Sequence, residues 1–338
     1  MGNARIIIAP ALAVKPEVLV CDEATEVPML REIAAARWSA CHLSDIKNRF
    51  FAMNDITFAW HGPKQPLVPL MLDSPHSGFQ FPADFDAVVS EFDLRDGEDC
   101  FVDELYMPAT ELGVPLLTAL TPRTYLDPNR HAGDIDLDLI EGGAWPHTHV
   151  PSGKARIGKA LIWRTLDDGR AIYGRKLKID EVLGRIERCH TPYHRALSGA
   201  IDQSHADFGV VYHINCHSMN SVAGPMGEGG AGTSRADFVL GDRDGTTCDP
   251  AFTEFVRATL AATGHSVSVN DPYKGVELVK AYSKPAVGRH SLQLEINKRL
   301  YMDETKRERN AGFAPLQRKL QHLIEAIVDY IGKDVRRG

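Results

Sequence analysis

The chain has 338 residues, 43% hydrophobic and 25% charged, and 38 basic against 45 acidic side chains leave a net charge of −7 with histidine neutral. That is an ordinary globular composition, long enough to bury roughly three quarters of the unfolded surface. Mild acidity without a run of five or six like charges excludes a phosphate-backbone footprint, so nucleic acid is not an expected partner.

Residues 1–60 read as an N-terminal extension and residues 61–338 as a single domain. Near the start, the apolar stretch 6–14 is broken by Pro10 and followed by Lys15. It is too short for a bilayer of ~30 Å and lacks the small-residue cleavage site of a secretory signal. No membrane partner is expected. The six cysteines are widely spaced, with no Cys-x-x-Cys pair, as in a reduced cytoplasmic protein. A helix is predicted over 26–39, amid segments that give no clean period.

From Leu67 the pattern becomes regular. Apolar runs of strand length at 67–72, 114–120, 210–214, 238–240 and 291–296 alternate with helix-length segments, which predicts an α/β chain with a mostly parallel sheet. A helix is predicted over 99–112, acidic at its start and stopped by Gly113. Pro192 should kink or divide the helical stretch 178–208, giving two shorter helices. The C-terminal stripe Leu316, Leu320, Leu323, Ile324, Ile327, Val328, Ile331 predicts a helix packed on the core.

Ligands of an open α/β sheet bind beyond the carboxyl ends of its strands. Asp73-Ser74-Pro75-His76-Ser77-Gly78 follows the first run and Asn215-Cys216-His217-Ser218-Met219 the third, so two His-Ser pairs converge if their strands are neighbours. A hydrolytic zinc site needs three protein ligands and an open position. His76 and His217 would be two, and Asp99 or Asp103, one helical turn apart, the third; the same residues also read as satisfied strand-end histidines, an N-cap and a first-turn carboxylate.

In the last run, Leu292, Leu294 and Ile296 share one face and Gln293 and Glu295 the other. Glu295 is either a general base or the partner of Arg289, Lys298 or Arg299. The segment Arg123-Thr124-Tyr125-Leu126-Asp127-Pro128-Asn129-Arg130 offers Arg123 and Arg130 for an anionic substrate, against the plainer reading of a surface turn. His190 and His194 have metal-ligand spacing, but Pro192 between them breaks the geometry; His194 is placed at the site rim and His190 in packing. Cys216 points away from its neighbour His217 and reads as a buried, inert thiol.

Read together, SPHSG, EDCFVDELY, RTYLDPNR, HTPYHRAL, NCHSM, DFVLGDRDGTTCD, NDPYKG and LQLEINKRLYMDE stand in the order of the N-formylglutamate amidohydrolase family, which the chain resembles over about residues 67–330. The resemblance implies a three-layer α/β fold with a mostly parallel mixed central sheet flanked by helices, like that of zinc-dependent exopeptidases and the phosphorylase/hydrolase group. It implies hydrolysis of the N-formyl amide of N-formyl-L-glutamate or a similar N-acyl acidic amino acid to formate and the free amino acid, in histidine breakdown. Carried over by position, His76, His217 and Asp99, with Asp103 as alternative, become ligands of one zinc ion or another divalent metal. Glu295 becomes the general base, and Asn129 and Arg130 resemble the pair with which related carboxypeptidases hold a substrate carboxylate.

The sequence departs from the family at Asn215, where Asp is usual, at Val276, Ala281 and Lys298. These changes fall on the expected pocket wall and leave the proposed ligands intact, which keeps open a zinc-dependent peptidase or a cell-wall-type amidase. A non-catalytic binding protein is disfavoured by the intact set. Met53 reads as an alternative start, since it gives the short lead-in of the family. Intact-mass analysis of the protein expressed from its own promoter is then expected to give a species beginning at Met53; one beginning at Met1 refutes this.

Overall fold

A computed structural model describes residues 57–62, 68–225, 227 and 230–334. The helix expected over 26–39 and the candidate start Met53 lie outside the described residues. The sheet has seven strands, β1 (Phe58–His61), β2 (Leu70–Ser74), β3 (Leu116–Ala119), β4 (Val211–Met219), β5 (Phe238–Gly241), β6 (Val267–Val269) and β7 (Arg289–Asn297), in the order β1-β3-β2-β4-β7-β5-β6. A separate hairpin pairs β8 (Met302–Asp303) with β9 (Glu308–Arg309). Strands β3, β2, β4 and β7 run parallel, while β1 and β5 are antiparallel to β3 and β7, so the mixed, mostly parallel α/β expectation holds.

The principal helices are α1 (Val102–Tyr106), α2 (Ile179–Arg185), α3 (Thr191–Phe208), α4 (Pro250–Ala261), α5 (Glu277–Tyr282) and α6 (Phe313–Asp334). One face of the sheet presents Tyr212, Ile214 and Cys216 of β4 and Leu292, Leu294 and Ile296 of β7 to α1, α4 and the apolar stripe of α6. The other presents Met71, Leu117 and Val211 to Tyr193, Leu197 and Ile201 of α3 and Leu278 of α5. Three layers result. A further core between 85 and 189 surrounds the fully buried Arg185, whose guanidinium lies 4.0 Å over Tyr125 and donates to Tyr173 Oη at 2.6 Å. No helix among the described residues is long and apolar enough to cross a membrane.

Several boundaries differ from the sequence expectation for identifiable reasons. Strand β4 does not stop at Ile214: it runs to Met219, with His213, Asn215 and His217 alternating against Tyr212, Ile214 and Cys216. An apolar run was expected where the strand is written in period two. The helix expected over 99–112 contains α residues only at Val102–Tyr106, because Phe101 is left-handed (φ 64) and Pro108 opens a 3₁₀ segment, Met107–Leu112. Gly113 ends it, left-handed at φ 82, as expected. Pro192 does not divide the helical stretch with a loop; a π-helical turn, Ile186–His190, joins α2 directly to α3 and absorbs the proline in a wide turn.

Gly78 shows why the turn after β2 needs its glycine. A Cβ there would lie 2.4 Å from the carbonyl oxygen of Thr121 and 2.5 Å from the carbonyl carbon of Leu120. The backbones of the β2 and β3 loops meet at this point, and neither can yield without moving His76 or the 123–130 segment. Gly78→Ala is expected to cost about 1–3 kcal/mol, read as a fall in the urea midpoint.

Candidate active site

Because β2, β3, β4 and β7 are parallel, their carboxyl ends share one edge of the sheet. A cleft of about 470 Å³ opens over it, bordered by His76, Asp99, Arg123, Arg130, His217 and Glu295. His76 sits in the turn after β2, His217 on β4, and Asp99 in a turn tied to the first by its N–H, which donates to the His76 carbonyl at 3.0 Å. The three residues are buried and offer ligand atoms within 4.8 Å of one another.

Their protonation follows from their neighbours. Asp127 accepts from His76 Nε2 at 2.7 Å, which leaves the His76 Nδ1 lone pair facing Asp99 Oδ2 at 3.4 Å. Asn215 Nδ2 donates to Asp73 at 2.7 Å, so its Oδ1 must be the atom 2.7 Å from His217 Nε2, and it accepts that proton. His217 Nδ1 then also turns its lone pair on Asp99 Oδ2, at 3.0 Å. Burial keeps His217 neutral, pushing its pKa down. Burial opposes ionisation of Asp99, and only positive charge on the side of the two imidazole nitrogens that face it outweighs this and holds the carboxyl well below its usual range.

Two nitrogen lone pairs aimed at a carboxylate repel it unless a cation lies between them. His76 Nδ1 is buried without a hydrogen-bond partner, as a ligand atom would be. Two imidazoles and one carboxylate leave coordination positions open, and this donor set fits zinc or another divalent first-row ion.

Asp127 and Asp73 hold the arrangement from behind. Asp127 is fully buried and receives Arg123 Nη2 at 2.7 Å and the Asn129 N–H at 2.9 Å as well as His76. Burial again opposes its ionisation, and Arg123 and His76 overcome it. Asp73 accepts from Tyr193, His213 and Asn215 at 2.7, 2.8 and 2.7 Å. Where the sequence departs from the family at Asn215, the amide thus links His217 to a carboxylate one residue further away.

Parallel pairing of β4 with β7 sets Glu295 beside His217 and Gln293 beside Asn215. Burial, and then the charge of Asp99, push the Glu295 pKa well above the usual glutamate range. The ion pair weighed for Glu295 is not formed: Arg289 pairs with Asp202, Arg299 with Asp237, Lys298 donates to Asn220, and Glu295 Oε1 accepts from Gln293 at 2.8 Å.

The other candidates fall in different places. Asp103 stands outside the His76, Asp99, His217 group; Phe101 turns the chain between the two aspartates, and burial pushes the Asp103 pKa up to about 6. Arg123 and Arg130 border the cleft, with Arg123 stacked 5.0 Å over Trp163. Asn129 borders it too; its Oδ1 accepts the Leu278 N–H at 3.0 Å, and its Nδ2 lies 3.0 Å from His217 Nε2 and 3.4 Å from Asn215 Oδ1, so its amide also braces β4 against α5. His194 does not reach the cleft: Tyr282 Oη and the Pro128 carbonyl take its two ring nitrogens, both at 2.7 Å. His190, expected only to pack, meets the Arg130 carbonyl at 2.9 Å and stacks on His194 at 3.8 Å. Both rings position the 128–130 backbone. Cys216 lies in the opposite, apolar layer, its thiol pushed well up by burial. Val276 and Lys298 border the cleft, whereas Ala281 is exposed on α5 outside it.

Sequence reasoning passed over Asp127 as a turn residue, Asp73 as the first residue after a strand, and His213 and Gln293 as strand. For the strand residues the signal was the alternation itself: a polar residue at every second position of a buried strand has to be answered by another polar group.

The chain matches the family model for N-formylglutamate amidohydrolase over residues 68–302. It is 30% identical to N-formylglutamate deformylase of Pseudomonas aeruginosa over 246 residues, 71% of this chain and 85% of that protein. Identity with the Pseudomonas putida deformylase is also 30%, over 78% and 94%. The solved N-formylglutamate amidohydrolase of Ralstonia eutropha superposes with a TM-score of 0.77 at 45% identity, covering 82% of this chain and 99% of that one. A structure from Agrobacterium tumefaciens, 17% identical over 83% and 99% with a TM-score of 0.59, shares the fold.

Replacing Asp127 removes the acceptor of a buried imidazole and a largely buried guanidinium at once. Asp127→Ala is expected to lose about 3 kcal/mol in urea unfolding, and Asp127→Asn to lose less because it still accepts from Arg123.

Proposed function

The chain belongs to the N-formylglutamate amidohydrolase family, hydrolases of non-peptide C–N amide bonds, and from that premise we propose a metal-dependent enzyme that cleaves N-formyl-L-glutamate to formate and glutamate. The observation that carries the reading is the pair of buried Nδ1 lone pairs of His76 and His217 directed at the ionised Asp99. A divalent ion held by these three, zinc by preference, would acidify a water and polarise the formyl carbonyl.

The rest of the chemistry belongs to side chains present in the chain. Glu295, buried beside His217, has the raised proton affinity that a base needs to take a proton from water and return it to the amino leaving group. Gln293 fixes the position of its Oε1. Arg130 presents a guanidinium beside Asp127 and orients a substrate carboxylate so that the formyl carbon meets the nucleophile. Arg123, cross-braced by Asp127 and Trp163, lies close enough to Glu295 to favour its ionised form and to receive charge developing on the carbonyl oxygen.

A cleft of about 470 Å³ suits an N-acyl amino acid whole. We assign the activity to residues 61–338, with 1–60 as an extension, and place it in the cytoplasm, in keeping with the four described cysteines being free thiols.

Purified protein is expected to contain near one zinc per chain by plasma mass spectrometry and to release formate from N-formyl-L-glutamate. Glu295→Gln should retain the metal and lose roughly a hundred- to ten-thousandfold in formate release. His217→Ala should lose the metal. Metal bound without formate release would exclude this substrate, and protein free of metal after zinc loading would overturn the mechanism.

A further inference from the structure

Basic side chains bordering the cleft outnumber acidic ones seven to four. Most of the surplus is already committed. Arg123 pairs with Asp127, Lys159 with Asp167 and Lys274 with Asp244. Lys298 is different. It is 7% exposed, yet its Nζ donates to a neutral group, Asn220 Oδ1, at 3.1 Å, and among the described residues no carboxylate lies within ion-pair distance. An ammonium has three donors; this one spends one N–H on an amide and meets the charge of Glu295 only beyond ion-pair distance, which leaves donors for an anion entering the cleft.

The fold builds a site around it. Lys298 follows β7 directly and Asn220 follows β4 directly, so both stand at the ends of the strands that carry Glu295 and His217. Arg235 borders the same corner: its N–H donates to the Ser221 carbonyl at 3.0 Å, its carbonyl accepts from Asn297 Nδ2 at 3.2 Å, and its guanidinium lies 5.0 Å over Tyr273. Arg123 and Lys159 instead gather around Trp163. The cleft therefore has a cationic corner separate from the Arg123, Arg130 and Asp127 cluster assigned to a first carboxylate.

Resting on the reading of the substrate as an N-acyl amino acid, we propose that Lys298 is the specificity determinant for a second carboxylate, the one on the substrate side chain, with Asn220 steering its ammonium. The enzyme then selects dicarboxylic N-formyl amino acids over isosteric neutral ones.

The test compares N-formyl-L-glutamate with N-formyl-L-glutamine, which has the same shape without the charge. Wild type is expected to favour the glutamate by kcat/KM. Lys298→Met should raise KM for N-formyl-L-glutamate roughly ten- to hundredfold while leaving N-formyl-L-glutamine within about twofold, the loss of one charge-assisted hydrogen bond. Lys298→Arg should restore most of the preference, and L-glutamate binding by calorimetry should follow the same order. Wild-type discrimination of less than twofold overturns the proposal. So does a Lys298→Met variant in which kcat falls equally for both amides with a displaced pH profile, since Lys298 would then act through Glu295. Wild type that cleaves neither amide overturns both this proposal and the assigned activity. Loss of fold in Lys298→Met is detected by its thermal transition, in which case Lys298→Gln carries the same comparison.

Discussion

The Asp127 carboxylate is the point on which the site rests. It sits without solvent at the end of the β3 loop and receives His76, Arg123 and the Asn129 backbone, with Arg130 3.7 Å away. Burying a carboxylate this fully is costly, and only several directed donors offset it. Each donor is thereby held in one orientation: the His76 ring shows its Nδ1 to Asp99, and the two arginines stand at the cleft wall. The orientation of the candidate ligand His76 and of both cleft arginines thus depends on a single anion.

A second anion, Asp73, does the same for the other histidine through a longer route. Its three partners come from β4 and α3, and the amide of Asn215 passes the constraint to His217. Polar residues fill one face of β4 and β7 from His213 and Ser291 to His217 and Glu295, so the sheet carries an internal polar strip opposite an apolar core. Such a strip specifies register: sliding β7 by one residue would turn Glu295 into the apolar core and leave Leu294 facing the cleft. His190 and His194, on the π turn and the helix after it, clamp the 128–130 backbone and so serve the first anion's loop.

Charge in the cleft is distributed unevenly around this frame. Near Trp163 the cations are matched by Asp127 and Asp167, whereas at the ends of β4 and β7 Lys298 meets a neutral amide. The electrostatic surplus therefore lies beside the general base assigned to Glu295, where an anionic substrate group would offset it.

By itself the sequence determined the fold class, the principal strands and the C-terminal helix, and it singled out His76, Asp99, His217, Glu295, Arg123 and Arg130 as candidates, because apolar period and strand-end chemistry are local properties of the chain. The resemblance ordered those motifs into one family. Tertiary structure alone grouped Asp99, and not Asp103, with His76 and His217, since one left-handed residue, Phe101, separates the two aspartates and no helical period reveals it. It alone tied the side chains of Asn129 and His194 into the scaffold, because their partners, Leu278 and Tyr282 on α5, lie 149 and 88 residues away. The tautomers of His76 and His217 likewise depend on Asp127, Asn215 and Asp73, groups that only strand pairing and a buried loop bring together. A hydrogen bond between distant segments leaves no period in either, which is why residue types were legible and their duties were not.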